Sequence, residues 1–295
     1  MFDNLALFLR IVERGGLSAA GRDFGLAPAT VSERLAALEA HYGATLLIRT
    51  TRSISLTDEG RLVVDGARRL LSEAEDLKAQ VRHGVEKISG LIRLSAPSDL
   101  GRVRIVPLLE AFQAQHPEVS VDLTLGDGYL DLVGLGTDLA VRYGVLPDSS
   151  LIAHRLATSR RILCASPTYL NRNGVPKTPQ DLLHHKCLIM RFGENVAHEW
   201  TFGKDGNTET VTVRGHRTTN DGSIVREWCL KGHGIAFKSR LDIYDELKTG
   251  TLVPLLADYD SPDIPLQIVY PGNRILPRRV RRLIEHLDEA FRGIK

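Results

Sequence analysis

Thr30, Ser32, Glu33 and Arg34 lie within five residues of one another, interleaved with Val31 and followed by Leu35 and Leu38. On a helix that spacing sets hydroxyl, carboxylate and guanidinium groups opposite an apolar stripe. Those groups at a helix N-terminus suit base edges and phosphates in a DNA major groove. Downstream, Arg49-Thr50-Thr51-Arg52 is basic and rich in hydroxyls, which suits the flanking phosphate backbone. A solvated face on a plain helical hairpin has the same look, so the elements around it must decide. Other chemistry is thin. His184-His185-Lys186-Cys187 lacks a second paired ligand at zinc spacing, and no metal or other cofactor is expected. Cys164, Cys187 and Cys229 are odd in number and far apart, which fits a reducing compartment; Cys164 and Cys229 sit on apolar runs and read as inert core thiols. There is no nucleophile elbow, phosphate-binding loop or dinucleotide fingerprint, and the scattered histidines make no triad, so no catalytic residue is assigned.

The elements that must position these residues fall into two textures. Residues 1–57 read as helices with small-residue turns. Leu5, Phe8, Leu9 and Val12 share a helical face that Gly15-Gly16 ends. Ser18 is placed as N-cap of a second helix with Ala19, Ala20 and Phe24 inward, and Pro28 suits the first turn of a third. Residues 44–57 read as a short wing. Thr57-Asp58-Glu59-Gly60 then opens a long helix to about Ile88, with Val63, Ala67, Leu70, Ala74, Leu77, Val81, Gly84 and Ile88 at alternating spacings of four and three. That heptad seam predicts that two copies pair side by side, as a homodimer. From Leu91 short strand-like runs alternate with helices, the signature of an α/β sheet.

Charge alone would not suggest a nucleic-acid partner. The chain has 295 residues with 38 Lys+Arg against 36 Asp+Glu, a formal charge of +2. Residues 1–57 hold six basic residues (Arg10, Arg14, Arg22, Arg34, Arg49, Arg52) and five acidic ones (Asp3, Glu13, Asp23, Glu33, Glu39), a net of +1. A DNA face must therefore concentrate Arg34, Arg49 and Arg52 while the acids point elsewhere. The apolar run Leu5–Leu9 is too short for a signal peptide, no stretch approaches a membrane span, and a cytoplasmic location without membrane association is expected.

Leu17-Ser18-Ala19-Ala20, Val31-Ser32, Leu38-Glu39, Leu46-Leu47-Ile48-Arg49 and Leu56-Thr57-Asp58-Glu59-Gly60 stand in the order and spacing of the N-terminal domain of LysR-type transcriptional regulators. The Pro28 turn and Arg49-Thr50-Thr51-Arg52 look most like the branch that includes DmlR and CrgA. Downstream, Cys164-Ala165-Ser166-Pro167, Asn220-Asp221, Gly232-His233-Gly234-Ile235-Ala236 and Tyr270-Pro271 resemble effector-domain landmarks of that branch. The resemblance spans the whole chain, with two departures. Ala27 stands where the family usually has Ser and cannot cap, a loss of about 1 kcal/mol. Glu33 stands where the branch usually has Arg, which alters base preference and affinity.

The resemblance implies an α+β multidomain chain. Residues 1–58 would be a winged helix-turn-helix reading DNA through Ser18, Ala19, Pro28, Ala29, Thr30, Ser32, Glu33, Arg34, Arg49, Thr50, Thr51 and Arg52. Residues 59–90 would be the dimerising linker helix. Residues 91–295 would form a two-lobed α/β effector domain like the type II periplasmic binding proteins, with lobe one at 91–161 and 266–295 and lobe two at 162–265. Ligands of such sheets sit beyond strand C-termini, near helix N-termini. That selects Ser98-Asp99-Leu100, Asp127-Gly128-Tyr129 and Asn220-Asp221 as effector loops, with Ser98 foremost and helix capping as the competing role for Ser98, Asp99 and Asn220. Implied partners are an imperfect inverted repeat in double-stranded promoter DNA, a small-molecule effector such as an organic acid or a phenolic compound, RNA polymerase, and further copies of the chain as a dimer or tetramer. An enzyme on the two-lobed fold is the alternative weighed.

Overall fold

The computed structural model describes residues 1–49, 54–83, 88–128, 137–144, 151–272 and 276–293. Thr50, Thr51 and Arg52 of the wing, Gly84 of the seam, and Tyr129 with the helix expected over 129–135 lie outside the described residues. The chain divides into two compact units, residues 1–90 with short pieces around 133–136 and 277–279, and the remainder.

The first unit comprises α1 (Phe2–Arg14), α2 (Leu17–Phe24), α3 (Pro28–Tyr42), β1 (Leu47–Arg49), β2 (Ile54–Leu56) and α4 (Asp58–His83). Leu5, Phe8 and Ile11 of α1 meet Ala20 of α2, Val31, Leu35 and Leu38 of α3, and Val64 and Ala67 of α4 in one core. The turn between α2 and α3 is closed by Gly25, whose φ of 65° lies in the left-handed region that glycine enters without a Cβ penalty. β1 and β2 pair antiparallel with Leu47 opposite Leu56, forming the wing.

Three local expectations are corrected. Gly16, in extended backbone, is the N-cap of α2, and Ser18 sits inside the helix. Phe24 is 41% exposed, because Gly21 takes the inward position where α2 meets α3. Ile88 is buried but outside the helix, which ends at His83 among the described residues. The heptad seam also splits. Ala67 is buried and Val63 partly buried in the unit's own core, whereas Leu70, Leu77 and Val81 are 46%, 62% and 80% exposed. The first turns of α4 belong to the helical core, and only the outer part keeps an unpaired apolar stripe.

The second unit runs β3 (Gly90–Ala96), α5 (Ser98–Leu100), a π-helical turn (Gly101–Ile105), α6 (Val106–Gln115), β4 (Val119–Leu125), β5 (Leu139–Tyr143) and β6 (Leu151–Ala165). It continues through α7 (Pro167–Asn173), a 3₁₀ turn (Pro179–His184), β7 (Cys187–Phe192), β8 (Asn195–Val196), β9 (Glu199–Lys204), β10 (Asn207–Thr212), β11 (Gly215–Thr219) and α8 (Gly222–Leu230). Last come β12 (Ile235–Ser239), α9 (Tyr244–Thr249), β13 (Val253–Pro254), β14 (Asp263–Pro271) and α10 (Arg278–Arg292). The helix expected from Arg102 thus begins at Ser98 and passes through a π-helical turn.

Strand order is β11-β7-β12-β6-β14-β5-β3-β4, so one path joins two lobes. β6 is the bridge: Leu151–Arg160 pair with β14, and Arg161–Cys164 with β12. β14 pairs in turn with β5. Two antiparallel strands therefore carry the chain from one lobe to the other, a crossover that periodicity could not reveal. Cys164, Cys187 and Cys229 are free and buried. The neighbouring Cys229 thiol, then burial, hold Cys164 well above an ordinary thiol, and burial pushes Cys187 up to about 12. A thiol so raised is a poor nucleophile.

The base of α4 is the tightest joint in the first unit. Thr57 Oγ1 accepts from Gly60 N at 2.8 Å and donates to Thr45 O at 2.8 Å, while Thr57 N donates to Leu46 O at 3.1 Å. A Cβ on Gly60 would lie 2.1 Å from that Leu46 carbonyl oxygen, a backbone atom that cannot swing away. Gly60→Ala should cost about 1–3 kcal/mol, as overpacking does, and lower the melting temperature of the first unit measured by circular dichroism. An unchanged melt would contradict this packing.

Candidate functional site: a helix face and an inter-lobe cleft

In the first unit Glu13, Asp23 and Glu39 are engaged away from the polar face of α3, whose own acid is Glu33. Asp23 Oδ2 accepts from Arg14 Nε at 2.8 Å and is ion-paired with Arg10 Nε, also at 2.8 Å, and Glu13 takes a second Arg10 nitrogen at 3.2 Å. The Arg14 hydrogen bond holds the Asp23 carboxyl below its ordinary value. Glu39 accepts from Leu46 N at 2.8 Å, tying α3 to the wing. Pro28 and Ala29 are exposed at the start of α3, Thr30, Ser32 and Arg34 are half-exposed, and Glu33 is exposed. Among the described residues Arg34 has no carboxylate partner. Ala27 caps α3 through its backbone alone, leaving first-turn amides open. Ser18 is exposed and Ala19 half-buried on α2. Arg49 ends β1.

In the second unit a cavity of about 500 Å³ opens where β3, β4 and β5 end in one lobe and β12 passes in the other. Its base is a buried ionic cluster. Lys238 Nζ lies 2.6 Å from Asp99 Oδ2 and 3.2 Å from Asp242 Oδ2, and donates to Gly222 O at 3.0 Å. Arg226 Nε reaches Asp99 Oδ1 at 2.8 Å and Nη1 reaches Glu246 Oε1 at 2.6 Å. The Tyr143 hydroxyl donates to Asp242 Oδ1 at 2.7 Å and accepts from Ser239 Oγ at 2.9 Å. Burial alone would drive the Lys238 ammonium down; Asp242 and Asp99 outweigh it, so its pKa is raised. Burial holds the Asp242 carboxyl above its ordinary value against the pull of Lys238.

The walls carry two cations of another kind. Burial lowers both Arg142 and Arg161. Arg142 donates to Val141 O at 2.7 Å and Ser95 Oγ at 2.6 Å. Arg161 has no hydrogen-bond partner for its guanidinium among the described residues and lies 6.0 Å from the centroid of the Phe237 ring. Phe237 packs on Trp200 with ring centroids 5.4 Å apart. The cavity thus offers an aromatic wall and an uncommitted cation.

The effector loops expected from sequence are partly brought together. Asp99, Asp127 and Gly128 line the cavity, whereas Ser98, Leu100, Asn220 and Asp221 do not. Leu100 is fully buried, and Ser98 is 5% exposed. Asp221, not Asn220, caps α8, accepting from Ser223 N at 2.8 Å. Asp99 is neither a cap nor a free ligand but the partner of Lys238 and Arg226. Arg142, Arg161, Trp200, Phe237 and Lys238 were missed. For Arg142 and Lys238 the signal was a lone cation inside an otherwise apolar strand, Leu139–Tyr143 and Ile235–Ser239, because a buried Lys or Arg needs a partner or a purpose. Among the described residues no group of three or more His, Cys, Asp or Glu is placed to hold a metal ion.

Lys238→Met should be severe, since it leaves two buried carboxylates facing each other; loss of about 3–5 kcal/mol is the scale for breaking such a cluster. Asp242, whose folded pKa burial raises and which would lose the pull of Lys238, binds more protons in the folded state, so stability falls as pH rises through that range. The deficit of the variant in chemical denaturation should therefore shrink between neutral and mildly acidic pH. A pH-independent deficit would show that Asp99 and Asp242 do not face one another.

Residues 2–61 match the family described as bacterial regulatory helix-turn-helix protein, lysR family, and residues 86–292 match the LysR substrate binding domain. The HTH-type transcriptional regulator DmlR of Escherichia coli is 32% identical over 291 residues, covering 99% of this chain and 94% of that protein. The solved structure of CrgA, a LysR-type transcriptional regulator from Neisseria meningitidis, is 30% identical with a TM-score of 0.65, covering 98% of each chain. Full-length LysG from Corynebacterium glutamicum with bound effector Arg is 22% identical with a TM-score of 0.68, covering 99% of this chain and 98% of that one, a likeness of fold.

Proposed function

We propose, for a chain that belongs to the LysR family of DNA-binding transcriptional regulators with an effector-binding domain, which residues read DNA and where the effector sits. The DNA face is the start of α3 with the wing: Pro28, Ala29, Thr30, Ser32, Glu33 and Arg34, joined by Arg49, Thr50, Thr51 and Arg52, with Ser18 and Ala19 of α2 against the backbone. The observation that carries it is the pairing of Arg10 and Arg14 with Asp23, while Arg34 has no carboxylate partner among the described residues. Two copies pair through Leu70, Ala74, Leu77 and Val81 and present two reading heads to an imperfect inverted repeat, as two-fold symmetry requires. A tetramer would be a dimer of such dimers. The chain works in the cytoplasm, contacts RNA polymerase at promoters, and is not an enzyme; its named relatives are transcriptional regulators.

The effector is a small organic acid bound in the inter-lobe cavity, its carboxylate on Arg161 and its body against Trp200 and Phe237. The unpartnered guanidinium beside an aromatic wall supports this. Arginine meets a carboxylate with two parallel hydrogen bonds, the strongest neutralising contact available. Binding shifts a pre-existing balance of assembly shapes and so alters DNA bending.

Gel shift on the chain's own upstream region and any divergent promoter, with a panel of small acids, tests both parts. Arg34→Ala with Arg52→Ala should abolish the shift at moderate salt and reduce the slope of log K against log salt by about two phosphate contacts. Arg161→Gln should leave the acid-free shift intact and remove the response to the acid. Leu77→Asp should move the protein to a lower-mass species in light scattering. An unaltered salt slope would refute the assigned face, and an unaltered acid response would refute the Arg161 seat.

A further inference from the structure

Two helix starts from opposite lobes each aim a backbone amide at one side chain that lines the cavity. Ser98 N donates to Asp127 Oδ1 at 3.1 Å, and Gly222 N donates to Asp127 Oδ2 at 2.9 Å. Ser98 begins the helical run that continues to Gln115, and Gly222 begins α8. A pair of amides held this far apart is a seat for one carboxylate, each oxygen taking one N–H, with the positive ends of both helices behind it. In this chain the seat holds the chain's own carboxylate. Asp127 lines the same cavity as Arg161, on a turn between Gly126 and Gly128.

We infer that Asp127 is a specificity determinant: it acts as an internal ligand carboxylate, fills the two-amide seat, and restricts the effector to a molecule with a single anionic group, read at Arg161. The inference rests on the cavity being the effector site. A tethered carboxylate has an effective concentration far above that of a free metabolite, so a second ligand carboxylate cannot displace it by mass action alone. It also repels one at short range, since among the described residues only Ser98 N and Gly222 N donate to it. Arg142 does not alter this balance: it already donates to Val141 O and Ser95 Oγ, and Asp127 is the charge that acts on it. Asp99 and Asp242 face the same space but are neutralised by Lys238 and Arg226.

The role sorts ligands by charge. A monocarboxylate with an apolar body uses Arg161 and the aromatic wall and leaves Asp127 in place. A dicarboxylate of matching span brings a second anion to a seat already filled. Removing Asp127 opens a vacancy the size of a carboxylate, lined by two N–H donors, which formate fits.

The test uses the full-length chain, Asp127→Ala, and Asp127→Ser as a smaller perturbation should the first fold poorly. Formate should raise the melting temperature of either variant saturably and leave that of the unsubstituted chain unchanged. In titrations of Trp fluorescence, the affinity ratio of straight-chain dicarboxylates to monocarboxylates of equal length should rise about tenfold or more in the variant, the scale of a lost tethered competitor. Absence of the formate response, or an unchanged ratio, overturns the role given to Asp127. The reading of the cavity fails separately: a formate response with every acid silent in the gel shift would keep Asp127 in its seat and remove the cavity from regulation.

Discussion

Lys238 is a buried ammonium that can exist only because Asp99 from one lobe and Asp242 from the other close on it. Among the described residues Asp242 is ion-paired with no other cation, Asp99 is shared between Lys238 and Arg226, and these charges hold the base of the cleft together. Arg226 and Glu246 extend the cluster along α8 and α9, and Tyr143 and Ser239 finish the remaining acceptors. The same contacts fix the strand ends that carry Arg142 and Phe237. The site is therefore set by electrostatic satisfaction at its base more than by apolar packing at its walls.

The two functional regions handle charge by the same rule. In the first unit Asp23 neutralises Arg10 and Arg14, while Arg34 has no carboxylate partner among the described residues. In the second, Asp99 and Asp242 neutralise Lys238, while the Arg161 guanidinium lies over the Phe237 ring with no hydrogen-bond partner among the described residues. Free cations stand out where neighbouring ones have been paired off. This is why a chain of formal charge +2 can present locally positive faces.

The first unit was largely legible because its determinants are local: Pro28 at the start of α3, the stripe of Val31, Leu35 and Leu38, and the wing residues all act within a few turns of themselves. The errors there were also local, since Ser18 looked like a cap only until Gly16 was seen in extended backbone. The α4 seam was misread where tertiary packing overrode period: Ala67 fits a heptad as well as it fits the core that holds it. The cleft was much less legible. Ser98 and Asp127 were found by the strand-end rule, yet what matters is that one bonds the other across 29 residues, a pairing no periodicity encodes. Lys238 left only the faint trace of a charge in an apolar strand, and Arg161 was hidden beside Arg160 in a strand that carries several polar residues.

β6 is a single strand of 15 residues that hydrogen-bonds to β14 along its first part and to β12 along its last. A connection made of paired strands has no loop to act as a free pivot. At about 3.3 Å per residue it behaves as a stiff bar some 50 Å long, shared by both lobes. Relative motion must then be stored as extra twist in a hydrogen-bonded ribbon, which is elastic and returns when released. Across that joint nearly every residue of β6 is tied to a neighbouring strand, so the two lobes share one hydrogen-bonded ribbon in place of a flexible linker.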